Sequence, residues 1–213
     1  MSILDEDDKA DVKQVLADLE NQITVHVFTE DDCQYCDETV ALLEDVESLV
    51  DEIEMEVHTM DDPLATELGA DLYDGGPVTV ITREDVTGVR YFGIPSGQEF
   101  SAFLQGTIAV STGETGLDES VREELASIDE PVEITVFVTP TCPHCPRAVQ
   151  TAHSFAIENE HVTANSVEAQ EFMELSQEYG VRGVPQINVN GKDGEFTGAL
   201  PPQQFVQQVK QAL

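Results

Sequence analysis

Four cysteines occur among the 213 residues, and all of them fall into two pairs with the spacing Cys-x-x-Cys. The pairs are Cys33-Gln34-Tyr35-Cys36 and Cys142-Pro143-His144-Cys145. Structural disulfides, zinc sites and redox-active dithiols all use this spacing. A structural disulfide is disfavoured because so short a loop stabilises a fold little, and a four-thiolate zinc site requires two distant halves of the chain to converge. The pattern favours a redox-active dithiol, with zinc as the alternative.

Each pair stands where a strand is predicted to turn into a helix. Runs rich in β-branched residues precede the pairs, over residues 23–29 and 134–139. Apolar residues at helical spacing follow them: Val40, Leu43, Val46 and Val50 in one case, Val149, Ala152, Phe155 and Ala156 in the other. Unpaired N–H groups and the positive dipole end of a helix stabilise a thiolate. We therefore expect Cys33 and Cys142 to be the exposed nucleophiles, and Cys36 and Cys145, one helical turn on, to be the buried resolving thiols.

The chain is predicted to consist of two homologous units. Cys142 follows Cys33 by 109 residues, and two further matches recur in the same order. They pair Gly75-Gly76-Pro77-Val78 with Gly183-Val184-Pro185-Gln186, and Tyr91-Phe92-Gly93 with Phe196-Thr197-Gly198. We place the units at residues 1–113 and 114–213, with residues 111–116 as the linker.

Each unit is predicted to open and close with a helix. Apolar residues at helical spacing mark the opening helices: Val12, Val15, Leu16 and Leu19, and then Leu117, Val121, Leu125 and Ile128. After the Cys-x-x-Cys helix we expect a short strand, a helix (63–68 and 169–179) and a hairpin. The closing helix of the first unit is predicted to begin with a capping box from Ser96 to Glu99. That of the second begins near Pro201-Pro202.

These residues resemble the thioredoxin/glutaredoxin superfamily, and the tandem arrangement resembles the archaeal protein disulfide oxidoreductases. The resemblance covers nearly the whole chain. It implies an α/β fold of two tandem thioredoxin-fold units, each a four-stranded mixed sheet flanked by helices with an extra N-terminal helix. Gly183-Val184-Pro185 matches the family's cis-proline element, and Gly75-Gly76-Pro77 matches it less closely. The resemblance therefore implies that Gly76, Pro77, Val184 and Pro185 contact the substrate chain and that both prolines follow cis peptide bonds.

The sequence departs from thioredoxin itself at two places. Thioredoxins carry a buried Asp six residues before the first cysteine, where this chain has Val27 and Val136. They carry Trp immediately before that cysteine, whereas this chain has Asp32 and Thr141 there and no Trp at all. The bacterial flavoprotein that reduces peroxiredoxins also resembles this chain in its tandem domain, but its first unit has lost the Cys-x-x-Cys.

The two cysteine pairs are predicted to differ in redox behaviour. Five carboxylates that oppose thiolate formation flank Cys33: Glu30, Asp31, Asp32, Asp37 and Glu38. No acid flanks Cys142, and Arg147 adds a positive charge. We expect Cys142 to have the lower pKa. The Cys-Pro-His-Cys sequence also resembles the bacterial periplasmic disulfide oxidase, which implies that His144 modulates this pair; Tyr35 is the corresponding candidate at the first pair.

The composition narrows the class of protein. With 43 Asp and Glu against 9 Lys and Arg, the formal charge is −34, while the hydrophobic fraction is 40%. The acids are dispersed between apolar residues, so we predict a folded chain. Lys and Arg form no clusters that could bind phosphates, so we predict no nucleic-acid binding. No apolar run is long enough to span a membrane, and the acidic N-terminus lacks the pattern of a secretory signal. We interpret the charge as that of a cytoplasmic protein from a halophile, in which molar salt screens the carboxylates.

Two functional hypotheses follow from the cysteine pairs. The first is an enzyme that exchanges dithiols and disulfides with protein substrates, with an isomerase activity and a more oxidising C-terminal site. The second is an electron carrier between a thioredoxin-reductase-like flavoprotein and peroxiredoxin or ribonucleotide reductase. No cofactor and no metal are expected. His26 and His58, on predicted strands, are interpreted as structural or surface residues.

Overall fold

The computed structural model describes residues 2–213 and has an α/β architecture. The strands are β1 Ile23–Thr29, β2 Ile53–Thr59, β3 Val78–Arg83, β4 Val86–Phe92, β5 Val132–Val138, β6 Val162–Glu168, β7 Gln186–Val189 and β8 Gly194–Thr197. The α-helices are α1 Glu6–Val15, α2 Cys36–Glu47, α3 Pro63–Leu68, α4 Gln98–Thr112, α5 Glu119–Leu125, α6 Cys145–Glu158, α7 Met173–Glu178 and α8 Pro202–Gln211. None of the helices within residues 2–213 is long and apolar enough to cross a membrane.

The strands form a single mixed sheet in the order β2-β1-β3-β4-β6-β5-β7-β8. In the first half β2 is parallel to β1, and β3 is antiparallel to both β1 and β4. The second half repeats this arrangement with β6, β5, β7 and β8. The halves join where β4 pairs with β6 in parallel, from Val89 opposite Ala164 to Phe92 opposite Val167. The predicted fold of two four-stranded units, each with an extra opening helix, is confirmed.

The central strands of each half are buried on both faces. Successive strand residues point to opposite faces, so Val25 and Val27 join one hydrophobic cluster while Phe28 joins another. The first cluster contains Leu43 and Val46 of α2, and the second contains Ala65 and Leu68 of α3. Strand β1 is accordingly buried at Ile23 and at every residue from Val25 to Phe28, including the polar His26.

The sequence matches between the units correspond to matching hydrogen bonds. The N–H of Gly93 donates to the carbonyl of Pro77 at 2.8 Å, and the N–H of Gly198 donates to the carbonyl of Pro185 at 3.0 Å. Each bond links the glycine that follows the second strand of a hairpin to the proline that precedes the first strand of the same hairpin.

The connection between the halves is shorter than the predicted linker. Helix α4 continues to Thr112 and ends at Gly113, which takes a left-handed conformation with φ 74°. The Ser111 side chain is fully buried. Its hydroxyl accepts hydrogen bonds from the N–H groups of Glu20 and Asn21 at 3.0 and 2.9 Å. The first two residues assigned to the linker therefore belong to α4, and the first of them is buried.

Candidate active sites

The first cysteine pair lies between the end of β1 at Thr29 and the start of α2 at Cys36. Cys33 and Cys36 form a disulfide with an S–S distance of 2.03 Å. Cys36 is buried, at 5% exposure, whereas Cys33 is half-buried. The order of exposure within this pair is the one predicted.

The second pair occupies the equivalent position between β5 and α6, which begins at Cys145. Cys142 and Cys145 form a disulfide with an S–S distance of 2.12 Å. Cys145 is fully buried, and Cys142 is only 7% exposed. The prediction that Cys142 is an exposed cysteine is wrong for this structure, in which its sulfur is bonded to the buried Cys145.

Helix α4 of the first half packs on the loop that leads to Cys142. The N–H of Gln98 donates to the carbonyl of Pro140 at 2.9 Å. A Cβ atom on Gly97 would lie 2.5 Å from the same carbonyl oxygen, and Gly97 has a φ of 60°. Only glycine is compatible with both this conformation and this approach. The first half of the chain thus forms part of the surroundings of the second pair.

The start of α6 provides a hydrogen bond to the second pair. The N–H of Cys145 donates to Sγ of Cys142 at 3.2 Å. A donor at this place, together with the positive dipole end of α6, stabilises negative charge on that sulfur once the disulfide is reduced. Among residues 2–213, no backbone N–H donates in this way to Sγ of Cys33.

A cis-proline stands in each half at the predicted position. The Gly76–Pro77 and Val184–Pro185 peptide bonds are both cis. A Cβ atom on Gly76 would lie 3.6 Å from Sγ of Cys36, so the backbone at Gly76 borders the first cysteine pair. In the second half, Val184 and Pro185 line a groove of about 770 Å³.

The grooves of the two halves differ in charge. A groove of about 790 Å³ reaches Cys36 in the first half. Its acidic lining residues are Glu30, Asp31, Asp37, Glu44 and Asp61. The groove beside Pro185 has one acid, Glu195, and one base, Arg182. Three of the five acids that flank Cys33 in the sequence, Glu30, Asp31 and Asp37, thus line the groove that reaches Cys36.

Tyr35 and His144 immediately precede the helices of the two sites. Each is the N-cap residue of its helix, and neither side chain caps it. Tyr35 is half-buried and His144 is exposed. The structure places both beside the cysteines, and their modulating roles remain predictions.

Glu99 is a buried acid that the sequence analysis missed. It is 3% exposed, and both of its carboxylate oxygens lack a hydrogen-bond partner within the described chain. The predicted capping box is wrong, because Gly97 is the N-cap of α4 and no side chain caps the helix. The helix starts one residue later than predicted, and Glu99 turns inward to a small cavity that it shares with Pro140 and Glu168.

Burial changes the protonation of Glu99. Removal from water raises the pKa of Glu99 to about 8. The cavity that holds this carboxyl group is also lined by Pro140, the residue two before Cys142. Glu99 belongs to the first half of the chain. In the second half, the position at which thioredoxins carry a buried Asp is occupied by the apolar Val136.

Each half contains a Cys-x-x-Cys pair between a strand and a helix, together with a cis-proline. This arrangement defines a thioredoxin-fold protein with two sites for thiol–disulfide exchange. A family model for the thioredoxin domain matches residues 132–211. The crystal structure of a protein disulfide oxidoreductase from Aeropyrum pernix K1 is similar over 99% of this chain and 95% of that chain, with 30% identity and a TM-score of 0.87. This chain belongs to the family of tandem thioredoxin-fold protein disulfide oxidoreductases.

Two further likenesses involve other oxidoreductases. The NTD_N/C domain of alkylhydroperoxide reductase AhpF from Enterococcus faecalis has the same fold, with a TM-score of 0.86, 23% identity, and coverage of 97% of this chain and 99% of that one. A Bacillus subtilis protein named NADH dehydrogenase is 24% identical over 190 residues, which are 89% of this chain. The chain spans about a third, 35%, of the length of that curated relative.

Replacement of Glu99 by Gln is expected to change how stability depends on pH. The folded-state pKa of about 8 lies above the ordinary value of 4.5, so the protonated acid favours folding. This contribution is complete below about pH 4.5 and is lost as the pH rises through about 8. In the oxidised protein, Glu99→Gln should raise the free energy of unfolding by about 3 kcal/mol more at pH 9 than at pH 5.

The measurement is urea unfolding at both pH values and constant ionic strength. Glu123→Gln, which neutralises an exposed acid on α5, is the control and should show no such difference. Parallel changes in the two variants would contradict the assignment of a raised pKa to Glu99.

Proposed function

We propose that the chain catalyses dithiol–disulfide exchange with protein substrates, as an oxidase or reductase with an isomerase activity, and that its C-terminal site is the more oxidising one. The observation that carries this asymmetry is the hydrogen bond from the Cys145 N–H to Sγ of Cys142 at 3.2 Å. It favours the reduced, thiolate form of Cys142 and therefore makes the disulfide a better oxidant. The acids that line the first groove act in the opposite direction on the Cys33–Cys36 pair.

The exchange proceeds through a mixed disulfide. When a substrate is reduced, the Cys142 thiolate attacks one substrate sulfur, and the other sulfur leaves as a thiolate that takes up a proton. The Cys145 thiolate then attacks Cys142, which forms the Cys142–Cys145 disulfide and releases the second substrate thiolate. Two electrons pass to the substrate, and oxidation of a substrate dithiol is the same sequence in reverse.

The residues beside each pair take the supporting roles in this proposal. Gly76 and Pro77 in the first half, and Val184 and Pro185 in the second, receive the substrate chain. The location of Gly76 against Cys36 and the groove along Val184 and Pro185 support this assignment. His144 and Tyr35 modulate the adjacent cysteines. In each half the residues thus combine a sulfur nucleophile with a surface for an extended peptide.

The first site is proposed to be the more reducing one and to exchange electrons with the second site or with an external reductase. A thioredoxin-reductase-like flavoprotein is the proposed source of those electrons. The alternative function is that of an electron carrier, and the likeness in fold to the AhpF domain favours it. A carrier would pass electrons to a peroxiredoxin or ribonucleotide reductase, with no isomerase activity of its own.

Assays on separate cysteine variants distinguish the enzyme from the carrier. We expect the wild-type protein to refold scrambled ribonuclease and to reduce insulin in the presence of dithiothreitol. Cys142→Ser should abolish the refolding activity, while Cys33→Ser should retain most of it. Refolding activity that is absent from the wild type, with insulin reduction intact, would favour the carrier and overturn the enzymatic proposal.

The thiol pKa values give a direct test of the asymmetry. We expect Cys142 to have a lower pKa than Cys33. The measurement is the rate of alkylation against pH in two reduced variants, Cys33→Ser with Cys36→Ser and Cys142→Ser with Cys145→Ser. In the variant that retains Cys33, the further substitution Asp32→Asn should lower the pKa of Cys33, because one adjacent carboxylate is removed. A Cys142 pKa equal to or above that of Cys33 is incompatible with the proposal.

The charge of −34 supports the further proposal that this is a cytoplasmic protein of a halophile. At 1 M salt the Debye length falls to about 3 Å, so repulsion between the dispersed carboxylates is screened. We expect the urea midpoint of unfolding to rise substantially between 0.1 M and 2 M KCl. Choline chloride at the same ionic strength should reproduce the rise if screening is its cause, and an unchanged midpoint would exclude adaptation to salt.

A further inference from the structure

Three side chains with metal-ligating atoms converge on the first half of the sheet, in a cluster formed by His26, Glu56 and His58. His26 lies on β1, and Glu56 and His58 lie on β2. The parallel register places His26 opposite Glu56 and Phe28 opposite His58. Because alternate strand residues share a face, all three side chains project from the face that also carries Phe28, which stacks on His58 with ring centroids 5.0 Å apart.

The ligand atoms of this cluster form a nearly equilateral triangle. His26 Nδ1 lies 3.2 Å from His58 Nε2. Glu56 Oε2 lies 3.3 Å from His26 Nδ1 and 3.4 Å from His58 Nε2. Each residue thus contributes one atom to a common point.

The outer nitrogen of each imidazole faces an oxygen. His26 Nε2 lies 3.1 Å from Oγ1 of Thr82, and His58 Nδ1 lies 3.6 Å from Oδ2 of Asp62. A hydrogen-bonded oxygen at the outer nitrogen fixes the tautomer of metal-bound histidines, because that nitrogen then carries the proton and the inner one keeps its lone pair. The Thr82 oxygen lies within hydrogen-bond distance, and the Asp62 oxygen lies just beyond it. With the protons on the outer nitrogens, two nitrogen lone pairs and a carboxylate oxygen face one another at the centre of the cluster, an arrangement that a cation stabilises.

We propose that His26, Glu56 and His58 form a binding site for a divalent transition metal, with zinc as the metal that fits best. Zinc binds His nitrogen and carboxylate oxygen at about 2.0–2.1 Å, so two ligands of a tetrahedral site lie about 3.3 Å apart. Octahedral ligands at the same distance lie only about 2.9 Å apart. The three measured separations of 3.2, 3.3 and 3.4 Å match the tetrahedral value.

The surroundings of the cluster suit a bound metal with an open fourth position. The Glu56 side chain is 46% exposed, whereas those of His26 and His58 are 11% and 14% exposed. Water can therefore reach the site from the Glu56 side. A cavity of about 360 Å³ lined by His26, Glu54 and Thr82 offers a route of entry.

The site is independent of the cysteines, and its test uses the fully oxidised protein so that no thiolate competes for metal. Protein stripped with a chelator is titrated with Zn²⁺ in 1 M KCl, which suppresses loose binding to the acidic surface. The same protein is titrated with Co²⁺, whose visible absorption reports tetrahedral coordination. We expect one Zn²⁺ per chain and a rise in the thermal midpoint on binding.

The variants are Glu56→Gln, His58→Gln and Glu54→Gln. Glu54 precedes Glu56 by two residues on the same strand, so Glu54→Gln removes the same charge from the same face without removing a ligand. Glu56→Gln and His58→Gln should weaken Zn²⁺ binding at least about tenfold and abolish the Co²⁺ spectrum, while Glu54→Gln should leave both unchanged.

Absence of stoichiometric Zn²⁺ binding by the wild-type protein would overturn the proposal. Equal binding by wild type and Glu56→Gln would overturn it as well. Because the Glu56 side chain is nearly half exposed, this variant is expected to fold even if His58→Gln does not. Failure of this test would leave the proposed thiol–disulfide exchange unaffected, since none of the cluster residues belongs to the cysteine sites.

Discussion

The parallel pairing of β4 with β6 joins the two halves into one sheet, and the rest of the arrangement depends on it. It brings the start of α4 onto the loop before Cys142, where the N–H of Gln98 meets the carbonyl of Pro140. It also allows the hydroxyl of Tyr73 to reach Thr135 on β5 at 2.8 Å. The N–H of Ile94 reaches the carboxylate of Glu171 at 3.0 Å in the same way. Two units that merely followed one another in the chain would have none of these contacts.

The two cysteine pairs lie in different chemical surroundings, and the junction adds Glu99 to those of the second pair. The second pair has a backbone donor to Cys142 and, beside its loop, the buried Glu99 from the other half. The first pair opens to a groove lined by five acids. The duplicated sequence element therefore lies in two different electrostatic environments, and the proposed difference in thiolate stability rests on those environments. This difference is the physical basis for assigning separate roles to the two sites.

Most of the acidic side chains lie at the surface, and a few are buried, where their pKa values change. Burial raises the pKa of Glu99 to about 8 and that of Glu171 to about 7. Both lie between the halves, near the β4–β6 junction. Glu56 is a surface acid with a specific environment, because it lies on an edge strand beside two histidines whose outer nitrogens each face an oxygen. The net charge alone therefore does not distinguish the few carboxylates with specific environments from the many that lie at the surface.

The sequence by itself determined the duplicated α/β fold, the place of each Cys-x-x-Cys between a strand and a helix, and the positions of Pro77 and Pro185, because these depend on local patterns and short motifs that recur. The cis conformation of both prolines was implied only by the family resemblance, and the structure shows it. The sequence did not determine the environment of Glu99, since the helix start is set by the contact of Gly97 with a carbonyl 43 residues further on. It gave no sign that His26 would meet Glu56 and His58, because their meeting depends on the register of two parallel strands. Nor did it anticipate that Cys142 would be covered. Contacts between residues distant in the chain have no local pattern, and only the tertiary structure decided them.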